Sequence, residues 1–217
     1  MPAGIARLGS DSPQGGGDHP RTMSHTTLLL RPTPDLLPGY VAALQRGWSP
    51  DNVRGAVAAR EILERIASEP DVFFLTTHDP EGAGPAVTLA DGSQRPRLPG
   101  VSRWIWDAQD PGPGGFAGSI GLRWMAGHAE LPSWVLGHIG YSVTPWHRGR
   151  GHATRALGKL LHEARGFGLP FVDLTTDPDN MASQRVMTAN GATLVETFDK
   201  GEVYGHQPGL RYRIALS

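Results

Sequence analysis

The run Val143-Thr144-Pro145-Trp146-His147-Arg148-Gly149-Arg150-Gly151-His152-Ala153 gathers groups that grip an anion. Gly149 and Gly151 let the backbone bend tightly, so that successive N–H groups and the unpaired donors of a following helix turn converge on one point. The helix dipole adds to that attraction. Arg148, Arg150 and, one turn on, Arg155 supply fixed positive charge, and a guanidinium offers forked donors that match phosphate oxygens. By its chemistry the run is a phosphate-holding loop. The plainer alternative is a Gly-rich turn that only connects a strand to a helix.

Either reading needs elements on both sides. Trp134 to Val143 has the character of a strand leading in, and Ala153, Ala156, Leu157, Leu160, Leu161 and Ala164 recur at helical spacing until Gly168 stops the helix. Phe171 to Thr175 reads as a buried strand, which completes a crossover unit with parallel strands. Asn180 can cap a further helix that Asn190-Gly191 ends. Upstream, Thr26 to Arg31 predicts a first strand, Asp35 to Gly47 and Val53 to Ser68 two helices, the second with Ile62, Leu63 and Ile66 as its buried stripe. Val72 to Thr76 reads as a short strand and Asp79 to Gly100, dense in Pro and Gly, as a long surface loop. Arg103 to Asp107 and Phe116 to Trp124 flank a Pro-Gly turn and predict a hairpin; Thr193 to Thr197 and Leu210 to Leu216 supply two last strands.

The chain has 217 residues, enough for a core without metal or disulfide support. Its lack of cysteine rules out a thiol nucleophile, a thiolate zinc site and a disulfide scaffold. With 20 basic and 21 acidic residues and no long run of one sign, a nucleic-acid surface is not expected. Nothing in the sequence approaches a membrane span. Residues 1–22, rich in Gly, Pro, Ser and Asp, read as a disordered tail before a single domain over 23–217, and Met23 is an alternative start. A cytoplasmic location is compatible with this composition. No metal-ligand spacing occurs among the histidines, and His147 and His152 are expected to add donors to the loop. Of the six tryptophans, Trp104, Trp106, Trp124, Trp134 and Trp146 cluster in predicted strands and turns and are expected mostly in the core.

Gly149-x-Gly151-x-x-Thr154 falls short of a dinucleotide fingerprint, because Thr144 to Arg148 separate it from the strand and the third small residue is missing. Gly158-Lys159-Leu160 breaks the nucleotide-triphosphate rule, which needs Ser or Thr after the lysine. The pattern Val143-x-Pro145-x-x-Arg148-Gly149-x-Gly151-x-Ala153 behind a strand resembles the acetyl-CoA pyrophosphate loop of the GNAT superfamily of N-acetyltransferases. Asp179-Asn180-Met181-Ala182-Ser183 looks like that family's next motif, and His138-Ile139-Gly140-Tyr141 suggests a bacterial branch of it. The likeness is specific from about Gly118 to Ala192.

That resemblance implies an α/β (α+β) fold: a mixed, mostly antiparallel sheet flanked by helices, with the strand–loop–helix–strand unit at its centre. It implies acetyl-CoA held by Ser142, Val143, Arg148, Gly149, Arg150, Gly151, His152, Ala153, Asn180 and Ser183, with Arg155 and Lys159 as weaker candidates for the ribose phosphate. The two strands around the loop are expected to splay at a bulge, which frees the Val143 N–H to stabilise an oxyanion during direct acyl transfer. Two positions depart from the family pattern: Met187 stands where its tyrosine acid does, and Gly137 where many members carry a glutamate base. Tyr141 or Ser183 are the substitute acids and His138 the substitute base, although strand alternation opposes His138. The implied activity is transfer to a primary amine, most simply a small molecule, with a protein amine as the other option and a monomer or homodimer as the assembly. An acyl-CoA sensor without turnover, or a dinucleotide-binding oxidoreductase, are the competing functions.

Overall fold

A computed structural model describes residues 26–88 and 93–216. The expected tail over 1–22 and the start at Met23 lie outside the described residues.

Strand β1 (Thr27–Leu30) leads through a 3-10 turn to helices α1 (Leu37–Gln45), α2 (Ala56–Ser68) and α3 (Pro70–Thr77). Short strand β2 (His78–Asp79) and a small hairpin, β3 (Val87–Thr88) with β4 (Gln94–Arg95), precede the long hairpin β5 (Gly100–Asp107) and β6 (Phe116–Arg123). Strand β7 (Ile139–Val143), helix α4 (His152–Ala164) and strand β8 (Phe171–Thr176) form the crossover; helix α5 (Met181–Thr188), β9 (Thr193–Asp199) and β10 (Pro208–Ala215) complete the chain. The sheet order is β1-β5-β6-β7, with β2 beside β5, and a second ladder runs β8-β10-β9. Pairing within each ladder is antiparallel.

Helices pack against both faces of the first sheet. Ile105, Ile120, Leu122 and Ile139 meet Ala156, Leu157, Leu160 and Leu161 of α4, the stripe that the helical periodicity predicts. On the other face Trp104, Trp106 and Phe116 pack with Tyr40, Trp48 and Phe73 from the α1–α3 layer, Tyr40 stacking on Trp104 with ring centroids 4.8 Å apart. Gly118 makes the β6–β7 contact possible: it holds φ +148°, and a Cβ there would lie 2.2 Å from the Ser142 carbonyl oxygen.

Three expectations are corrected. Residues 72–76 are helical within α3, because Pro70 suits a first helical turn, the Thr76 and Thr77 hydroxyls donate to Phe73 O and Phe74 O, and Phe73 is buried in the aromatic layer. These contacts override the strand-like composition. The strand before the phosphate loop starts at Ile139 and not at Trp134, since its partner β6 ends at Arg123, opposite His138, and Pro132 has no N–H to extend a ladder. The stretch 79–100 is not all loop, as β3 and β4 pair within it.

Candidate active site

β7 delivers the chain to the loop. Thr144 is buried, its N–H bonded to Ala117 O and its hydroxyl 2.9 Å from His147 Nδ1, and a 3-10 turn over Pro145–His147 follows. Gly149 and Gly151 both hold φ +74°, a left-handed conformation that costs a residue with a Cβ about 1–2 kcal/mol. Gly151 is the N-cap of α4, so the first N–H groups of that helix, those of His152 and Ala153 among them, face the loop without intrahelical acceptors. Arg148, Gly149 and Arg150 are exposed around them. Fixed cations, two turn glycines and a helix start therefore surround one cradle.

The side chains beneath the cradle hold it up. His152 and His147 are buried, 1% and 6% exposed, so their rings are not the ligand donors expected of them. His152 Nδ1 lies 2.9 Å from Thr27 Oγ1, and its Nε2 is 3.5 Å from Asp107 Oδ2. Burial, reinforced by Arg150, lowers the His147 pKa, while Asp107 opposes this. Only the His152 backbone N–H remains for a phosphate. Arg155 is likewise committed, donating to Thr27 Oγ1 at 2.8 Å and to Arg150 O at 2.5 Å, so it clamps the loop to β1.

Beyond the cradle runs a gap between β7 and β8. The outer rungs Arg123 N–H to His138 O and Thr144 N–H to Ala117 O set the phase of the β6–β7 ladder, in which hydrogen-bonded and non-bonded pairs alternate. Gly140 and Ser142 turn their backbone groups to β6, as do the His138 carbonyl and the Thr144 N–H. Ile139, Tyr141 and Val143 turn theirs to the gap. Two of those carbonyls are taken, Tyr141 O by Asn52 Nδ2 at 3.3 Å and Val143 O by Arg148 Nε at 3.3 Å. The Val143 N–H points the same way, the orientation expected of an oxyanion donor.

At its lower end the gap is sewn shut by His138, which donates its N–H to Asp173 O at 2.7 Å and accepts the Asp173 N–H on Nδ1 at 3.0 Å. Nδ1 is thus the acceptor, which leaves Nε2 as the donor to Ala129 O at 3.2 Å. Both nitrogens are used and the residue is 1% exposed. Burial lowers its pKa, with Asp173 opposing. The geometry gives His138 a structural task in place of the expected base. Gly137 offers no base either: a Cβ there would stand 3.1 Å from Asp173 O and 3.4 Å from Leu174 Cα, so the backbone of β8 occupies the space.

α5 closes the gap from the far side. Asn180 Oδ1 accepts the Ser183 N–H at 3.0 Å and caps the helix, leaving its Nδ2 exposed toward solvent. Tyr141 reaches across from β7, and its hydroxyl lies 2.8 Å from Ser183 Oγ and 3.3 Å from Ser183 O. Burial raises the Tyr141 pKa, and the Ser183 bond opposes it. Met187 is fully buried in the core, so its position is a packing site. Ser142, expected to touch the coenzyme, faces the opposite side of the sheet: it accepts from Trp48 Nε1 at 3.0 Å and donates to Ser49 O at 2.9 Å.

The sequence pattern of the Acetyltransferase (GNAT) domain matches residues 54–193. The chain belongs to the GNAT acetyltransferase family. Its fold is similar to that of RimL, the ribosomal L7/L12 alpha-N-protein acetyltransferase in complex with coenzyme A, at 15% identity and TM-score 0.56 over 88% of this chain and 94% of that one. It is also similar to MccE, the microcin C7 self-immunity acetyltransferase in complex with acetyl-CoA and AMP, at 15% identity and TM-score 0.51 over 87% and 92%. A protein described as a probable acetyltransferase aligns at 21% identity and TM-score 0.42 over 54% of this chain and 62% of its own length. No curated protein matches.

As a GNAT protein the chain supports its cradle through residues that no local motif marks. Thr27 and Asp107 hold the loop from β1 and β5, and Trp48, Ser49 and Asn52 fasten the α1–α2 connection onto β7. Each acts from dozens of residues away, so only the buried character of the surrounding strands hints at them in sequence. Among the described residues no helix is long and apolar enough to cross a membrane.

Proposed function

We propose that the chain transfers an acetyl group from acetyl-CoA directly to a primary amine. The observation that carries this reading is the open edge of β7, which sets the Val143 N–H in line between the loop cradle and the Tyr141–Ser183 pair. The groove fits coenzyme A: exposed Arg148 and Arg150 and the first N–H groups of α4 would hold the diphosphate, and the Asn180 side chain and the strand edge would receive the arm. When bound, that coenzyme supplies a thioester, an acyl group already activated for attack.

The chain's own contribution is electrostatic and positional. The Val143 N–H donates to negative charge developing on an acyl oxygen. Tyr141 Oη holds a proton that burial keeps in place and shares it with Ser183 O and Oγ at the edge of the gap, from where it can be passed to a leaving sulfur. Both His138 ring nitrogens are engaged in structural bonds and Gly137, crowded by β8, carries no base, so the amine arrives neutral and its proton departs to water. A small-molecule amine is the default acceptor.

Release of free thiol from acetyl-CoA in the presence of an amine panel tests the reading. Thiol release that depends on an amine, with acetylated product in equal amount, supports it. Tight coenzyme binding with no amine-dependent release would favour instead an acyl-CoA sensor, the reading that the closed Gly137 position and buried Met187 speak for.

A further inference from the structure

The sheet face opposite α4 has one bare patch. Ile120 and Leu122 of β6 enter the core, so Gly121 and Arg123 look the other way, and in register with them on β7 is exposed Gly140. Gly121 and Gly140 pair across the strands, and Ser102 Oγ is 3.6 Å from where a Gly121 Cβ would stand. The result is a trough with a floor of backbone and one small hydroxyl. Arg123 is exposed and its guanidinium folds back over that floor, Nη2 lying 3.6 Å from the position of a Gly140 Cβ.

That guanidinium is uncommitted. Among the described residues it makes no hydrogen bond or ion pair, in contrast to Arg103, Arg211 and Arg213, each bonded to a carboxylate. Asp51 and Tyr204 lie near enough to favour its charge. Asp51 Oδ1 accepts the N–H groups of Val53 and Arg54 at 2.8 and 2.9 Å, which ties this carboxylate to the start of its own turn. An exposed cation that makes no hydrogen bond or ion pair among the described residues, lying over the floor of an open trough, is placed to receive an incoming anion.

We infer that Arg123 is the specificity residue of the acceptor site and that it pairs with a carboxylate of the amine substrate. The inference rests on the acetyl-transfer reading for the place where the amine must sit. From Gly140 to Val143 the strand advances about 10 Å, which sets the separation between the anchored carboxylate and the reacting amine. An α-amino acid is too short for that span. An extended tripeptide, or an ω-amino acid of the same length, matches it. A single cation with Asp51 beside it suits a singly charged carboxylate better than a phosphate dianion.

The test uses triglycine and triglycinamide, which differ only in the terminal charge, with calorimetric binding to the full chain and coenzyme A as the readout. Wild type is expected to bind triglycine about 10- to 100-fold more tightly than the amide. Arg123→Ala is expected to abolish that preference with coenzyme affinity unchanged, and Arg123→Lys to retain part of it. Circular dichroism verifies folding, and coenzyme affinity reports an intact cradle. Absence of a carboxylate preference in wild type, including failure of both peptides to bind, overturns the inference, as does a preference that survives Arg123→Ala. The acetyl-transfer reading fails on different evidence, namely no amine-dependent thiol release from any member of the panel.

Discussion

Tyr141 Oη and Ser183 Oγ lie 2.8 Å apart, joining β7 to α5 across the gap in which acyl transfer is proposed. The pair places a hydroxyl beside the gap although the family's tyrosine position is filled by buried Met187. Tyr141→Phe is therefore expected to lower kcat about 100-fold with little change in the KM for acetyl-CoA. Ser183→Ala, which removes only the bonded Oγ, should cost less. Steady-state thiol release at saturating amine measures both, and an unchanged kcat in Tyr141→Phe would remove the hydroxyl from the mechanism.

Without a side-chain base, turnover should follow the acceptor. Log kcat/KM for the amine is expected to rise with unit slope up to the amine's own pKa, with no break near 6.5, the ordinary histidine value. Burial raises the Tyr141 pKa above 10, so its proton stays in place throughout that range. A plateau beginning near neutrality would contradict this account.

His138→Ala separates structure from chemistry. The Asp173 N–H loses its acceptor in a buried site, an expected loss of about 1–3 kcal/mol of stability in denaturant unfolding, while the shape of the pH–rate profile stays the same. The wild-type histidine also sets an acid limit. His138 and His147 both have pKa values lowered by burial, so their contribution to stability is complete above the unfolded value near 6.5 and is lost as pH falls through the lower folded values. Urea midpoints measured downward from pH 7 should decline, and less steeply in His138→Ala.

The cradle predicts two kinds of loss. Arg148→Ala and Arg150→Ala, both exposed, should each weaken coenzyme A binding about 10-fold in calorimetry with only a small change in thermal midpoint, since Arg148 gives up one bond to Val143 O and Arg150 one long pair with Asp107. His152→Ala, whose ring is buried between Thr27 and Asp107, should instead lower stability. An equal effect of His152→Ala and Arg148→Ala on stability would contradict the inward placement of the imidazole.

Ser142→Ala removes the hydroxyl that fastens residues 48–49 to β7. Trp48 Nε1 is then left without its acceptor in a buried place, and the 48–52 connection loosens over the trough. The expected result is a KM for the amine raised about 3- to 10-fold with coenzyme affinity unchanged. Selective loss of coenzyme affinity would return Ser142 to the donor side of the site.

Local residue types were enough to read the tight turns of the loop before α4, α4 itself and the capped start of α5. Gly149 and Gly151 are needed for left-handed turns, α4 repeats its apolar residues at helical spacing, and Asn180 caps by its own side chain; each property acts within a few residues of the chain. The facing of the other groups was settled only by tertiary contacts. His138 looks like a base until Asp173, 35 residues later, donates to its ring, and Ser142 looks like part of the donor site until Trp48 claims its hydroxyl from the other face. Tyr141 and Ser183 become a pair because β7 and α5, 42 residues apart, flank one gap. Composition specifies which chemistry a side chain can perform, but a strand presents alternate residues to opposite faces, and which face becomes the reaction groove depends on what packs against it.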